Sequence, residues 1–246
     1  MKVALIADVH ANLPALEAVL AHAHEEGVEA IWNVGDLIGV GPFPDQVVKR
    51  VRKENPLSIL GGYDRAVLRF KKKKAKWRKE MPQEEYLALE WAYAALSKSS
   101  RKYLRFLSSE MRTGVKGRRI LLTHTGPCSH KKKLPPKELK EHLSRRAREA
   151  NADVIVCGHS HRPFAHQVPD ALVVNPGAVG WSNDGTRLAS YATLSFKKDD
   201  IQVDHHRLEY DVDSLVTAIR ENALPEVYVR MLLDGLDLET ALKSPD

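Results

Sequence analysis

The sequence predicts an α/β fold, because short apolar segments alternate with segments of helical periodicity from residue 3 to residue 60. Residues 3–7, 30–34 and 57–60 are predicted as strands. Residues 13–26 and 45–53, which lie between them, are predicted as helices. A βαβαβ order implies parallel strands with helices covering the sheet.

The first helix has recognisable start and stop signals. Asn12 is a candidate N-cap, Pro14 lies in the first turn and Gly27 follows the last apolar position. A turn-rich loop at 39–44 precedes the second helix, and each of the first three strands runs directly into a loop that contains Asp. These local signals agree with the alternating pattern.

The remaining elements follow in two groups. Residues 82–108 are predicted as helical, and strands are predicted at 119–123, 154–157 and 172–174. Residues 188–196 and 201–208 alternate like a hairpin, and the tail after residue 213 is predicted as helical with a break near Pro225. We therefore expect one domain over 1–246, with a helical insertion at about 65–110 and a helical tail at about 213–246.

Composition excludes several classes of protein. The 246 residues include 43% hydrophobic and 28% charged side chains, which is typical of a folded globular chain. No apolar run reaches the roughly 20 residues of a membrane helix, so no membrane is expected. The first apolar segment is too short for a signal peptide. Cys128 and Cys157 show no CxxC spacing, so we expect no disulfide framework and a cytoplasmic location.

The net charge of +6 favours anionic partners. Basic residues concentrate at 71–79 and at 131–133. Such runs are most often solvated surface, and a phosphate-bearing substrate or nucleic acid is the sharper interpretation. Only charge supports nucleic acid, because the chain has no recognisable DNA- or RNA-binding motif.

Asp and His residues follow nearly every predicted strand. Ligands of open α/β sheets bind at the carboxyl ends of strands, so these side chains are expected to converge. Each has an ordinary alternative: Asp8 as a helix cap, Asp36 as a turn residue and His124 as a histidine at the core edge. The prediction depends on the whole set, which comprises Asp8, His10, Asp36, Asp64, His124, His159 and His161.

In order along the chain, these residues resemble the calcineurin-like metallophosphoesterase superfamily, and within it the small YfcE-like phosphodiesterases. The segments that match are Asp8-Val9-His10, Gly35-Asp36, Gly61-Gly62-Tyr63-Asp64, His124 and Gly158-His159-Ser160-His161, with an Asn175-Pro176-Gly177 turn. The resemblance extends from residue 1 to about 208. It implies a four-layer α/β/β/α sandwich of two facing mixed sheets.

The resemblance also implies a pair of metal ions. One ion would be held by Asp8, His10, Asp36 and His161. The other would be held by Asp36, His124 and His159, with Asp36 as the bridge. Carboxylate and imidazole ligands suit Mn, Fe, Zn or Ni, among which the sequence does not choose. A hydroxide activated by two metals would attack the phosphorus in line, and Arg162 would hold the phosphate.

Two positions depart from the family pattern. Gly62 replaces an Asn ligand of the second metal, which predicts a weak second site, and Tyr63 replaces a His that helps the leaving group depart. A phenol with a pKa near 10 is a less suitable acid at neutral pH. Asp64 is expected to orient this segment.

The main hypothesis is therefore a dinuclear, metal-dependent phosphoesterase that hydrolyses phosphodiesters, with phosphomonoesters as further candidates. Its substrate would be a small phosphate ester or a nucleotide. The alternative is a degenerate, non-catalytic member of the fold that binds a partner protein, which the departures at Gly62 and Tyr63 motivate. A homo-oligomer is compatible with the sequence, because an apolar surface cannot be distinguished there from core.

Overall fold

Two five-stranded mixed sheets face each other in the computed structural model of the chain, which describes residues 1–125, 136–198 and 200–243. The first has the order β10-β9-β1-β2-β3 and the second the order β4-β5-β6-β8-β7. In the first sheet β1, β2 and β3 are parallel, and in the second β5, β6 and β8 are parallel. The strands are β1 (Lys2–Ile6), β2 (Ala30–Asn33), β3 (Leu57–Ser58), β4 (Glu110–Val115), β5 (Arg118–Thr123), β6 (Val154–Val156), β7 (Phe164–Val168), β8 (Ala171–Asn175), β9 (Ala189–Phe196) and β10 (Ile201–Leu208).

Alternation along the strands creates the layers. On β1, Val3 and Leu5 pack between the two sheets, whereas Ala4 and Ile6 pack against the helices outside the first sheet. Side chains of a strand point alternately to its two faces, so both faces of this strand are apolar. The outer face of the second sheet packs against helix α6 (Pro136–Ala150), because Leu143 of this helix lies in one buried cluster with residues of β6 and β8. The four-layer α/β/β/α prediction is confirmed.

The helices are α1 (Leu13–Glu25), α2 (Pro44–Lys53), α3 (Gly62–Glu80), α4 (Gln83–Ala95), α5 (Lys98–Phe106), α6 (Pro136–Ala150), α7 (Val212–Glu221), α8 (Val227–Asp234) and α9 (Leu238–Lys243). Asn12 caps α1, because its Oδ1 accepts the Ala15 N–H at 3.1 Å. Gly27 follows α1 with a φ of +68°, as its position in the sequence predicts.

The insertion and the tail both share apolar contacts with the rest of the chain. Phe70 of α3 and Leu104 of α5 belong to the cluster that also contains Ile6. The tail helices pack in a second apolar cluster, which also contains Trp181 and Val40 from outside the tail. One domain over 1–246 stays a prediction.

Several elements differ from the sequence prediction. The strands β4 and β7 were not predicted, because their exposed faces are polar and weaken the apolar signal. β3 has only two residues, Leu57 and Ser58, where four were expected. The chain turns at Gly61 to begin α3, so pairing with β2 ends early.

The two cysteines need a correction. Cys157, at the end of β6, is buried and disulfide-bonded, whereas the sequence suggested no disulfide framework. Because Cys157 is disulfide-bonded, the cysteines no longer indicate a reducing compartment. Cys128 and the basic residues at 131–133 lie outside the described residues. Among the described helices, none combines the length and apolar character that crossing a membrane requires.

Candidate metal centre

The predicted ligands lie where parallel strands of both sheets end. Asp8 and His10 follow β1 and Asp36 follows β2, which is the parallel neighbour of β1. His124 follows β5, and the next parallel strand, β6, leads to the loop of His159 and His161. The four loops therefore meet at one end of the sandwich, as expected for a site at carboxyl ends of strands.

Most of these loops adopt backbone conformations that L-residues rarely take. The φ angles are 54° at Asp8, 46° at His10, 54° at Asp36, 70° at His159 and 56° at His161. Each non-glycine residue in this region costs roughly 1–3 kcal/mol and persists only when its surroundings impose it. Such strain is typical of functional sites, where the side-chain direction matters more than local stability.

Backbone hydrogen bonds between the loops hold these conformations. The Asp8 N–H donates to the Gly35 carbonyl at 3.1 Å, and the His10 N–H donates to the Asp36 carbonyl at 3.0 Å. The Gly158 N–H donates to the His124 carbonyl at 3.1 Å. The loops of each sheet are therefore fixed pairwise before any side chain is considered.

The carboxylate of Asp8 is fully buried, and within the described part of the chain only one of its two oxygens accepts a hydrogen bond. Its Oδ2 accepts the His159 N–H at 2.9 Å, whereas its Oδ1 has no hydrogen bond among the described residues. Three imidazole Nε2 atoms surround this Oδ1, at 3.5 Å for His161, 3.8 Å for His124 and 3.9 Å for His10. Burial raises the pKa of Asp8. An orphaned buried carboxylate oxygen facing several ring nitrogens fits a metal site.

His124 is oriented by the opposite sheet. Its Nδ1–H donates to the Val34 carbonyl at 2.8 Å, so Nε2 points inward and lies 2.9 Å from Asp36 Oδ2. Burial alone would lower the pKa of His124, but the neighbouring Asp36 carboxylate outweighs it and raises the pKa to about 10. Metal-binding histidines are commonly fixed through the other ring nitrogen in this way.

His161 and His10 present a second pair of ring nitrogens. The His161 Nδ1–H donates to the Trp181 carbonyl at 2.5 Å, which leaves the other ring nitrogen, Nε2, with a free lone pair. This Nε2 lies 3.2 Å from His10 Nε2. Burial lowers the pKa of His10 to about 3, so its ring is neutral. Two nitrogens that each bind one ion at about 2.1 Å, at right angles, would be separated by about 3 Å. The observed spacing fits two ligands of one ion.

Asp36 connects the site to α3. Its Oδ1 accepts the Tyr63 N–H at 2.7 Å while Oδ2 faces His124. Burial opposes ionisation of Asp36, but His124 outweighs it and the pKa falls to about 2. A charged carboxylate with one oxygen anchored to backbone is a well-positioned ligand.

The predicted ligand atoms form two groups within which all atoms lie inside 4.8 Å of one another. One contains Asp8, His10 and His161, and the other contains Asp8, Asp36 and His124. Asp8 is the member common to both groups, whereas the resemblance implied that Asp36 would bridge. His159 is in neither group, and its ring lies 5.5 Å from that of His124 between centroids. The donor set of carboxylates and imidazoles fits divalent transition metals.

Gly62 lies at the first turn of α3 and leaves open space beside the site. It is exposed, and a Cβ built there would have no neighbour within 4 Å. Gly61 is the opposite case, because a Cβ there would overlap the carboxylate and the backbone N of Asp36. Of these two adjacent glycines, only Gly61 is required by packing.

Asp64 supports the site without reaching its centre. Its Oδ1 accepts the Ile38 N–H at 3.1 Å and its Oδ2 accepts the Gly61 N–H at 3.0 Å. Burial raises the pKa of Asp64 to about 7. Both oxygens thus fix backbone around Asp36, which agrees with the orienting role expected for this residue.

Tyr63 presents its ring, rather than its hydroxyl, to the site. The ring contacts the His10 ring edge-on, with centroids 5.0 Å apart and planes at 88°. Burial, together with the nearby Glu85 carboxylate of α4, raises the pKa of the phenol. These contacts favour a supporting role over proton donation.

Arg162 is exposed beside His161. Its Nε donates to Asn183 Oδ1 at 3.3 Å, and its Nη2 donates to the Asn183 carbonyl at 3.2 Å. Asn183 in turn donates to the Ser160 carbonyl at 3.0 Å. The guanidinium is therefore held at the rim, next to the loop that contributes two histidines.

Sequence reasoning missed the groups that orient the ligands. The carbonyls of Val34 and Trp181 select the histidine tautomers, and backbone carbonyls leave no signal in a sequence. Asn175 donates from Nδ2 to the Gly158 carbonyl at 2.8 Å and fixes the histidine loop. The Asn175-Pro176-Gly177 turn was the available signal, although its structural task was not identified.

The family described as the calcineurin-like phosphoesterase superfamily domain matches residues 1–199. Protein MJ0912 of Methanocaldococcus jannaschii is 30% identical over 248 residues, which covers 91% of this chain and 94% of that protein.

Two solved structures relate the fold to proteins of this kind. A metallophosphoesterase from Sphaerobacter thermophilus superposes with a TM-score of 0.77 at 28% identity, covering 96% of this chain and 99% of that one. The phosphoesterase YfcE of E. coli has a TM-score of 0.50 at 22% identity, covering 85% of this chain and 100% of that one. The YfcE likeness concerns the fold.

Proposed function

Because the chain belongs to the calcineurin-like phosphoesterase superfamily, we propose that it hydrolyses phosphodiesters with the help of two divalent metal ions. The observation that supports this most directly is the unpaired, buried Oδ1 of Asp8, which faces the Nε2 atoms of three histidines. The Sphaerobacter protein, described as a metallophosphoesterase, supports the same proposal.

The proposed ligands divide between the two ions. Asp8, His10, Asp36 and His161 would hold one, and Asp36, His124 and His159 would hold the other. Bound there, Mn, Fe, Zn or Ni ions would supply Lewis acidity to the phosphoryl oxygens and lower the pKa of water. The second site lacks a side-chain donor at Gly62, so we propose that it binds its ion more weakly.

The chain's own residues provide orientation and charge. The carbonyls of Val34 and Trp181 each keep a proton on the Nδ1 of a histidine, which leaves the Nε2 atoms as ligands. Asp64 fixes the backbone around Asp36. Arg162, at the rim, would bind a phosphate oxygen of the substrate.

The alternative, a partner-binding protein without catalysis, is favoured by one observation, the missing donor at Gly62. A phosphodiesterase would hydrolyse phosphate esters, whereas a partner-binding protein without catalysis would not. Metal-stripped protein would be titrated with Mn²⁺, Ni²⁺, Zn²⁺ or Fe²⁺, and hydrolysis of bis-p-nitrophenyl phosphate and of its monoester would be followed by absorbance. Metal-dependent release of p-nitrophenol is expected. Absence of turnover with every metal on both substrates would favour the partner-binding alternative.

A further inference from the structure

A cleft of about 440 Å³ opens beside the candidate metal centre. His124 and Gly62 line it together with Arg65 of α3, Ser109 and Arg146 of α6. Arg146 pairs with Glu149 at 3.0 Å, whereas no described carboxylate lies within ion-pair distance of Arg65. The lining also includes the carboxylate of Glu110, so the two arginines leave a small excess of positive charge beside the proposed ligands. Such a cleft is suited to an anionic group that extends beyond the reacting phosphate.

The basic face of this cleft continues along α3. Arg65, Arg69, Lys72, Lys76 and Lys79 are all exposed and recur every three or four residues, so they share one face of the helix. We call this face the basic stripe. At 1.5 Å per residue it extends for about 21 Å from the cleft. It therefore presents a row of cations rather than a single charged point.

The basic stripe lies opposite the buried face of α3 and is largely uncompensated. Val67 and Phe70 make the buried face, which packs into the core. Within the described part of the chain, the one carboxylate that pairs with a member of the stripe is that of Glu80, 3.5 Å from Lys76. Both groups of that pair are exposed, so the pair is screened by solvent. The stripe thus offers its charge to an external anion.

An exposed aromatic side chain lies near the same cleft. Phe106, at the end of α5, is 77% exposed, and the Lys102 Nζ lies 6.0 Å from the centre of its ring. It lies three positions before Ser109, which lines the cleft, so the Cα atoms of the two residues lie within about 11 Å of each other. The exposed ring is accessible to an external flat group, on which it can stack.

From these features we propose that the substrate is single-stranded nucleic acid, with its phosphates on the basic stripe and a base stacked on Phe106. The inference rests on the proposed phosphodiesterase function and names its substrate class. Proteins that bind single strands combine a cationic track for the backbone with aromatic platforms for unstacked bases. A duplex has no free base faces, so the aromatic ring favours a single strand.

The reaction on this substrate is a hydrolysis. Water adds to one phosphodiester: a bond forms between phosphorus and the water oxygen, and the bond from phosphorus to one sugar oxygen breaks. That sugar oxygen takes up a proton, and the products are a phosphomonoester and an alcohol. No further reactant is needed.

Binding tests the proposal without relying on turnover. A fluorescein-labelled strand of about 20 thymidine nucleotides would be titrated with full-length protein in EDTA, and anisotropy would be measured between about 50 and 200 mM salt. Two triple variants remove equal charge from α3. Arg69→Gln/Lys72→Gln/Lys76→Gln, the stripe variant, removes three of the five charges of the stripe. Lys71→Gln/Lys74→Gln/Arg78→Gln, the control variant, removes three exposed charges outside it.

The stripe variant is expected to bind at least tenfold more weakly, and its slope of log K against log salt should fall by about 2, since each phosphate contact contributes about 0.7. The control variant should bind like the wild type. Phe106→Ala should weaken binding at least about fivefold. Equal losses in both triple variants, no binding at low salt, or a duplex bound as tightly as the single strand would overturn the proposal.

Turnover then separates the two proposals. With Mn²⁺ added, the stripe variant should lose at least tenfold more kcat/KM on the oligonucleotide than on bis-p-nitrophenyl phosphate. Hydrolysis of bis-p-nitrophenyl phosphate without cleavage of the oligonucleotide would overturn the substrate class and leave the phosphodiesterase proposal standing. Binding of the strand without hydrolysis of either diester would overturn the phosphodiesterase proposal instead.

Discussion

Gly61 packs directly against the carboxylate of Asp36, so closely that no side chain can be added there. At the next residue, Gly62, an added Cβ would have no neighbour within 4 Å. This contrast between neighbours explains how a segment that departs from the family pattern still holds Asp36 in place. It also supplies matched variants for the first two predictions.

Gly61→Ala should disable the site, whereas Gly62→Ala should be tolerated. The new Cβ at position 61 would overlap the Asp36 carboxylate and backbone N, and overpacking of this kind costs about 1–3 kcal/mol in the free energy of unfolding. Urea unfolding and calorimetric titration with Mn²⁺ would measure stability and metal binding. Equal behaviour of the two alanine variants would contradict the packing described here.

Gly62→Asn should tighten the weaker metal site. The space beside Gly62 accommodates a side chain, and an amide oxygen there would add the donor that the second ion lacks. We expect the dissociation constant of the weaker Mn²⁺ ion to fall at least tenfold, or about 1.4 kcal/mol. Gly62→Ala is the control for filling the space. If Asn and Ala bind the second ion alike, the amide is not a ligand.

Tyr63→Phe should retain kcat within about threefold, since the ring of Tyr63 is what contacts His10 and burial raises the pKa of the phenol. A general acid would contribute roughly 10²- to 10⁴-fold. Tyr63→Ala should instead weaken metal binding, because His10 loses the ring that packs against it. Steady-state kinetics on bis-p-nitrophenyl phosphate would decide, and a hundredfold loss in Tyr63→Phe would identify the phenol as the acid.

Asp45 should stabilise the helical insertion in a pH-dependent way. Burial alone would raise its pKa, but hydrogen bonds from Lys49, Ser100 and Ser97 outweigh burial and lower the pKa. A carboxylate with a depressed folded-state pKa stabilises the protein above its unfolded pKa near 3.9, and that contribution is lost as the pH falls. Asp45→Asn should therefore cost about 2 kcal/mol at neutral pH.

Urea unfolding of wild type and Asp45→Asn at neutral and acid pH would test this. The difference between the two proteins should shrink progressively below about pH 4, where the unfolded carboxyl takes up its proton. A difference that stays constant across that range would mean that Asp45 acts through packing rather than charge.

The sequence located the candidate ligands, but it did not predict their arrangement. Asp8, Asp36 and His124 could be found because parallel strands bring their carboxyl ends together, and that topology follows from the alternation of strands and helices. The backbone of Asp8, which has a positive φ, is held by a hydrogen bond to Gly35, and its orphaned Oδ1 faces the rings of His124 and His161; all three partners are far away in the chain. Such contacts have no local signature.

The same distinction applies to the fold. The hairpin of β9 and β10 was predicted because alternation is visible along both strands. The edge strands β4 and β7 were missed, since much of their side-chain surface is exposed and their pairing depends on partners elsewhere in the sequence. The proposed substrate path along α3 depends on the position of this helix beside the cleft. A basic run in the sequence alone does not distinguish a binding stripe from ordinary solvated surface.

The central claim, a metal centre that hydrolyses phosphodiesters around Asp36, is tested most directly by comparing wild type with Asp36→Asn. Both would be loaded with Mn²⁺, and bound metal and turnover of bis-p-nitrophenyl phosphate would be measured on the same samples. Asp204→Asn, the same change on β10, is the control. We predict that Asp36→Asn loses bound metal and at least 10³-fold in kcat/KM, a loss of about 4 kcal/mol of transition-state stabilisation, while Asp204→Asn retains both. Wild-type metal content and turnover in Asp36→Asn would contradict the account.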